Sequence, residues 1–244
     1  MDDRKSAFLY GLVALALGLA LGLFSISRSL KDIRRGNEEV VVTGSARRPI
    51  RSDFIVWRLT VSTQGMSLST ASAELNRSAD RVRAFLRAEG VNDSLLTVKP
   101  VEAYGIPEMT AEGRETGRIL ASRVSQTFEI RSPDVDGITR VSQRASSLIT
   151  EGVPLQSQAP EYLYTRLSEI RNSLLEDATT DARQRAEAIV KSTGAAIGAV
   201  RDARMGVFQV TPRYSTEVSD YGINDVTSID KDVTAVVRVT FSIR

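Results

Sequence analysis

Hydrophobic positions along this chain recur with two different periods, and the switches between them mark out its elements. An apolar run without a charged residue comes first, from Ser6 to Ser27. Beyond it, EVVVTGSA (39–46) and FIVWRLTVSTQ (54–64) read as strands. In the second, Ile55, Trp57, Leu59 and Val61 alternate with Val56, Arg58, Thr60 and Ser62, the period of a strand with one buried face. The RRPIRS segment between the two reads as a loop. Then the period changes. Leu68, Ala71, Leu75, Ala79, Val82 and Leu86 recur every three or four residues, with Ser67 placed to cap and Gly90 to stop, which predicts an amphipathic helix over 68–89. Strands follow at 94–104 and 118–132, around a loop or hairpin tip at 105–117.

The same grammar returns in the second half. SPDVDGITRVSQRASSLITEG (132–152) offers Ser132 as N-cap, Pro133 as first helical residue and a stripe of Val135, Ile138, Val141, Ala145 and Leu148 before Gly152. A short strand falls within 155–165. A long helix spans about 167–193, with Leu167, Ile170, Leu174, Ala178, Ala182, Ala186 and Ile189 inward. A strand at 199–210 and a polar loop at 211–232 lead to the clearest strand, where Val233, Ala235, Val237, Val239, Phe241 and Ile243 share a face. Half-buried strands interleaved with amphipathic helices predict an α+β class: a mainly antiparallel sheet with helices packed on one face, preceded by one N-terminal transmembrane helix. The expected organisation is an anchor at 1–27, a polar tether at 28–38 and one domain at 39–244.

Ala7 to Ile26 is 20 residues, about 30 Å as a helix, which matches a bilayer core. A cleaved signal peptide is the rival reading, with Ser25 and Ser27 as small cleavage-site residues, but its apolar run is usually shorter. Gly18 and Gly22 form a Gly-x-x-x-Gly pair, and Gly11 extends the small-residue stripe, so these three are candidates for a helix–helix contact in the membrane. Four basic residues follow the run and two precede it, which by the positive-inside rule favours a cytoplasmic main domain.

Charge narrows the partners. Residues 1–35 hold six basic and three acidic side chains, so in a chain of net charge +2 the remaining residues carry −1. The folded part lacks the positive excess of a nucleic-acid domain, despite a pI near 9.0. Cysteine and histidine are both absent. That removes disulfides, thiol chemistry, histidine acid–base catalysis, Ser-His-Asp triads and nearly all zinc or haem sites. No Walker A or dinucleotide fingerprint occurs, and no cofactor or metal is expected.

Two clusters remain. Arg47, Arg48 and Arg51 around Pro49 are candidates for an anion contact, such as a lipid head group or a polyanionic envelope polymer. Asp220, Asp225, Asp230 and Asp232 share one segment and carry oxygen ligands that suit calcium, but without the spacing of an EF-hand, so a plain polar loop is the expectation.

The segment LLEDATTDARQRAEAIVKSTGAAIGAVRDARMGVFQV (174–210) resembles the late signature of SIMPL-domain proteins, through Ala178, Asp181, Ala182, Arg183, Ala186, Glu187, Gly194 and Gly198. VTGSARRPIRSDFIVWRLTVSTQGMSLSTASAEL (42–75) resembles the family's opening, SPDVDGITRV its middle helix and VTAVVRVTFSI its last strand. The resemblance implies a mainly bacterial, exported or membrane-anchored protein of a family without established enzymatic activity. Some of its members assemble into rings and some are tied to oxidative-stress defence.

The apolar run anticipates a protein held in the cytoplasmic membrane through residues 7–26, and the resemblance implies, against the flank charges, a main domain in the periplasm or cell exterior. It is expected to act without catalysis, as a homo-oligomeric binding or assembly protein of the envelope. A cytoplasm-facing adaptor and a carboxylate-based hydrolase of envelope polymers are the alternatives.

Overall fold

The computed structural model describes residues 38–244. The anchor segment, with Gly11, Gly18 and Gly22, lies outside the described residues. Among the described residues no helix is long and apolar enough to cross a membrane. The class is α+β with mostly antiparallel sheets. Two compact units form: Arg48–Arg171 with Gln209–Val233, and Met1–Arg47 (described from residue 38) with Asn172–Phe208 and Thr234–Arg244.

In the larger unit, β2 (Phe54–Gly65) pairs antiparallel with β5 (Glu115–Ser132) from Ile55↔Ser132 to Gly65↔Ser122. Strands β3 (Leu96–Val98) and β4 (Glu102–Met109) add to β5, while β6 (Leu155–Ser157) and β7 (Glu161–Leu163) add to β2. Inward residues Ile55, Trp57, Leu59, Val61, Val124, Phe128 and Ile130 form one core with helices α1 (Leu68–Ala88), α2 (Val135–Arg144) and α3 (Ser146–Thr150). The stripe predicted for α1 is the buried one, and Ser67 closes a capping box with Thr70. The opposite sheet face is polar, with the Thr60 and Thr127 hydroxyls 2.9 Å apart.

The second sheet is ordered β1 (Glu39–Arg51), β11 (Asp230–Ile243), β9 (Gln209–Pro212), β10 (Ile223–Asn224), with β8 (Ile197–Met205) also on β11. In the smaller unit, helix α4 (Leu167–Lys191) lays Leu174, Ala178, Ala182, Ala186 and Val190 against Ala235, Val237, Val239 and Phe241 of β11, all buried. Alanines bring the helix unusually near the sheet. At Gly44 of β1, an added Cβ would run into the Ala178 carbonyl and the Ala182 amide and methyl group. The Asp181 carboxylate accepts the Ser45 amide at 2.8 Å and pairs with Arg185, interactions that hold it below the usual carboxylate range.

Several sequence expectations change. One sheet becomes two, and β9 with β10 is a parallel pair, because alternation reveals which face a strand buries and not which strand it joins. Residues 47–51, with Arg47, Arg48 and Arg51, are strand and not loop: β1 is an edge strand, the place in a sheet where a proline such as Pro49 is tolerated. The N-cap of α2 is Asp134, whose carboxylate accepts the Gly137 amide at 2.8 Å, while Ser132 accepts from Asp134. In α4, Val190 replaces Ile189 on the inner face, since a strict four-residue step from Leu174 arrives there.

Because backbone atoms, not flexible side-chain ends, meet a Cβ at residue 44, Gly44→Ala is expected to cost about 1–3 kcal/mol. The measurement is the urea midpoint at constant m-value. An unchanged midpoint would show that α4 does not lie this close to β1.

Candidate functional site

The chemically loaded interior of the larger unit lies in the segment that the sequence presents as a polar loop. Alternation along β11 points Lys231 to the same side as Val233, and the lysine side chain is wholly buried. Burying an ammonium is costly unless every proton is accepted. Here Nζ donates to the Tyr162 carbonyl at 2.9 Å and to the Asp225 carbonyl, and it lies 3.3 Å from Asp225 Oδ2. Asp225 is nearly as deep. Its carboxylate accepts the Thr227 amide at 2.9 Å, the Thr227 hydroxyl at 2.7 Å, the Ser228 amide at 3.3 Å and the Ser228 hydroxyl. Aspartate followed by hydroxyl residues is suited to such a turn.

Burial alone would raise the pKa of Asp225. The hydroxyls of Ser228 and Thr227, the Thr227 amide and the Lys231 charge outweigh it and bring it down to about 2. Lys231 is also lowered, because desolvation disfavours its charge more than Asp225 restores it. A cleft of about 70 Å³ adjoins the pair, lined by Leu163, Tyr164, Leu167, Val210 and Asn224. It has room for a few waters. With its protons committed, Lys231 is a pin that ties residues 225–228 to β7, and not an available nucleophile. The chain closes the same junction through Asp225 N–Val210 O at 2.9 Å and Tyr162 N–Val226 O at 2.7 Å.

The other sequence candidates separate. Strand alternation puts Arg48 on the face of β1 opposite Arg47 and Arg51. Arg51 already donates to Asp136 at 2.7 Å and lies 3.6 Å from Asp230. Asp232 accepts the Tyr214 amide, and Asp220 is exposed. Among the described residues no group of three or more acidic side chains is arranged to hold a metal ion. Glu129, buried like Asp232, sits among Arg58, Arg131 and Lys99 on the polar sheet face, and the Arg58 bond keeps it ionised.

One surface stands apart from these buried ion pairs. Strands β4 and β5 run on as a long hairpin closed by Thr110 N–Arg114 O at 2.8 Å. Tyr104, Met109, Ile119 and Leu120 on it are each more than half exposed. Strand β4 is hydrogen-bonded to β5 and to no other strand among the described residues. The sequence reading of 105–117 as a loop or tip missed this arm. Its signal was the interrupted apolar pattern on either side of Gly113.

A family model, SIMPL, "Protein of unknown function (DUF541)", matches residues 40–241. No curated protein matches. Among solved structures, the de novo designed protein Foldit4 is 13% identical, with 43% of this chain and 93% of that chain covered and a TM-score of 0.24. An amidase of the hydantoinase/carbamoylase family from Burkholderia phymatum is 10% identical, with 55% of this chain and 35% of the amidase covered and a TM-score of 0.25. A hydrolase from Listeria innocua is 12% identical, with 81% and 91% covered and a TM-score of 0.20. At these scores none of the three carries a functional argument.

The folded value of Asp225 lies below the ordinary 3.8, so the folded state binds that proton less tightly than the unfolded chain. The pair's contribution is therefore full above about pH 5 and is lost as pH falls through 3.8 toward 2, at about 2 kcal/mol. Asp225→Asn should destabilise by about 3–5 kcal/mol at pH 7, by leaving Lys231 without its counter-charge. It should also flatten the decline in urea stability between pH 5 and pH 3. An acid slope identical to that of the native chain would exclude Asp225 as its source.

Proposed function

The chain belongs to the SIMPL family, and from that premise we propose that it is a membrane-anchored, extracytoplasmic protein of the envelope that works by assembly and binding rather than catalysis. Its anchor is the segment 7–26, with Gly11, Gly18 and Gly22 toward a neighbouring membrane helix. The observation that carries assembly is the β4–β5 hairpin. It presents Tyr104, Met109, Ile119 and Leu120 to solvent beside an unpaired strand edge. Exposed apolar side chains grouped on one arm, next to a free edge, suit a second copy of the chain. The slightly negative charge of the remainder of the chain argues against nucleic acid as the partner. The buried carboxylates Asp225 and Glu129 are each engaged by cations, which supports a non-catalytic reading. A role in stress defence belongs to the same proposal and rests on the family resemblance.

The cytoplasm-facing adaptor is the second reading, favoured by the basic residues that follow the anchor. A C-terminal reporter active only outside the cytoplasm separates the two. Activity is expected, and a silent reporter on a stably expressed fusion reverses the orientation. Light scattering of the full chain in detergent should show more than a monomer. Ile119→Glu with Leu120→Glu should reduce the mass while leaving the folded circular-dichroism signal intact. A native chain that runs as a monomer at all concentrations would end the assembly reading.

A further inference from the structure

The sheet of the smaller unit has two faces, and α4 covers one of them. Alternation along β11 turns Val237, Val239 and Phe241 toward the helix and leaves Arg238 and Thr240 on the other face. The register with β8 sets Arg238 directly opposite Arg204, and Thr240 opposite Asp202. Like charges directly opposite one another in an antiparallel pair destabilise it. One of the two is balanced: Arg204 Nε donates to Asp202 Oδ2 at 3.0 Å. The Arg238 side chain is exposed, and its guanidinium makes no hydrogen bond or ion pair among the described residues. Together with Val41 these side chains line a trough of about 390 Å³.

We propose that this trough binds a phosphate group, held between Arg204 and Arg238. A guanidinium is a planar fork, and a carboxylate with two oxygens satisfies one such fork. Two forks facing each other across a strand pair suit an anion with three accepting oxygens and two charges, which is a phosphate monoester or free phosphate. Asp202 occupies Nε of Arg204 and leaves its two terminal amino groups for the ligand. The same carboxylate opposes any anion, so binding depends on the surplus of two arginines over one aspartate. Thr240 adds a hydroxyl donor at the floor. The trough exceeds the size of a phosphate, and Val41 gives the rest of it an apolar wall for the group that carries the phosphate. The inference stands on this sheet face alone and is independent of orientation and assembly.

The test is calorimetric titration and thermal unfolding of the full chain in detergent at fixed ionic strength. The probes are inorganic phosphate, glycerol 3-phosphate, mixed micelles containing phosphatidic acid, and acetate. The phosphates should bind and raise the unfolding temperature, and acetate should not. Tightest binding by glycerol 3-phosphate would identify a soluble phosphomonoester as the ligand type, and tightest binding by the micelles a lipid head group. Arg238→Thr should weaken phosphate binding roughly tenfold or more, and Arg238→Lys should lose less, since it keeps the charge but not the fork. In anion-free buffer, Arg238→Thr should unfold at a higher temperature than the native chain, because the repulsion with Arg204 is gone. Equal phosphate binding by Arg238→Thr, an equal response to acetate, or a lower unfolding temperature of the anion-free variant would each overturn the proposal.

Discussion

The approach of a helix to a strand backbone at Gly44 is the constraint from which the smaller unit follows. No side chain fits between the Gly44 Cα and the Ala178 carbonyl, so the helix carries alanine where it passes this strand, with Leu174 and Val190 at either end of the inner face. Ala182 and Ala186 follow along the same line. Close contact then brings Asp181 within reach of the Ser45 amide on an edge strand, where a side-chain oxygen satisfies a donor that the ladder leaves free. Ala178 and Ala182, two of the residues by which the chain resembles its family, are thus one half of a contact whose other half is Gly44 on β1.

A different solution holds the larger unit. Its core is apolar and conventional, yet the end of β11 carries a buried lysine. A buried ion pair is not a source of stability by default, because desolvation offsets most of the attraction. What Lys231 contributes is specificity of position. It accepts only a geometry in which the Tyr162 carbonyl, the Asp225 carbonyl and the Asp225 carboxylate converge. A polar segment with few apolar residues is ordered in this way without a core of its own.

The buried charges Lys231 and Glu129 are each met by an opposite charge, and the exposed apolar and charged groups lie at the surface. The hairpin arm has apolar area without a cover. The open sheet face of the smaller unit carries two facing arginines against one aspartate. Neither feature helps a solitary chain to fold: exposed Ile119 and Leu120 gain nothing from water, and Arg238 repels Arg204. Features that cost the isolated fold point to what it meets.

By itself the sequence determined the class, the order of elements and most of their buried faces, because burial imposes a period of two on a strand and near 3.6 on a helix. The inner stripe of α1, the alternation of β2 and β11 and the helix-stopping glycines all follow from such local rules. The kinship was legible too, in the motifs of 42–75 and 174–210 and their order along the chain. The same alternation, carried two residues back from Val233, reaches Lys231, but a lysine at an inward position looks like the end of a strand until its acceptors are known. Those acceptors come from Tyr162 and Asp225, at separations along the chain over which periodicity carries no information. Only the tertiary structure decided that there are two sheets, that β1 continues through Pro49, and that Arg238 faces Arg204. Pairing and register join distant segments, and their energies depend on which neighbours fold onto a strand rather than on the strand alone.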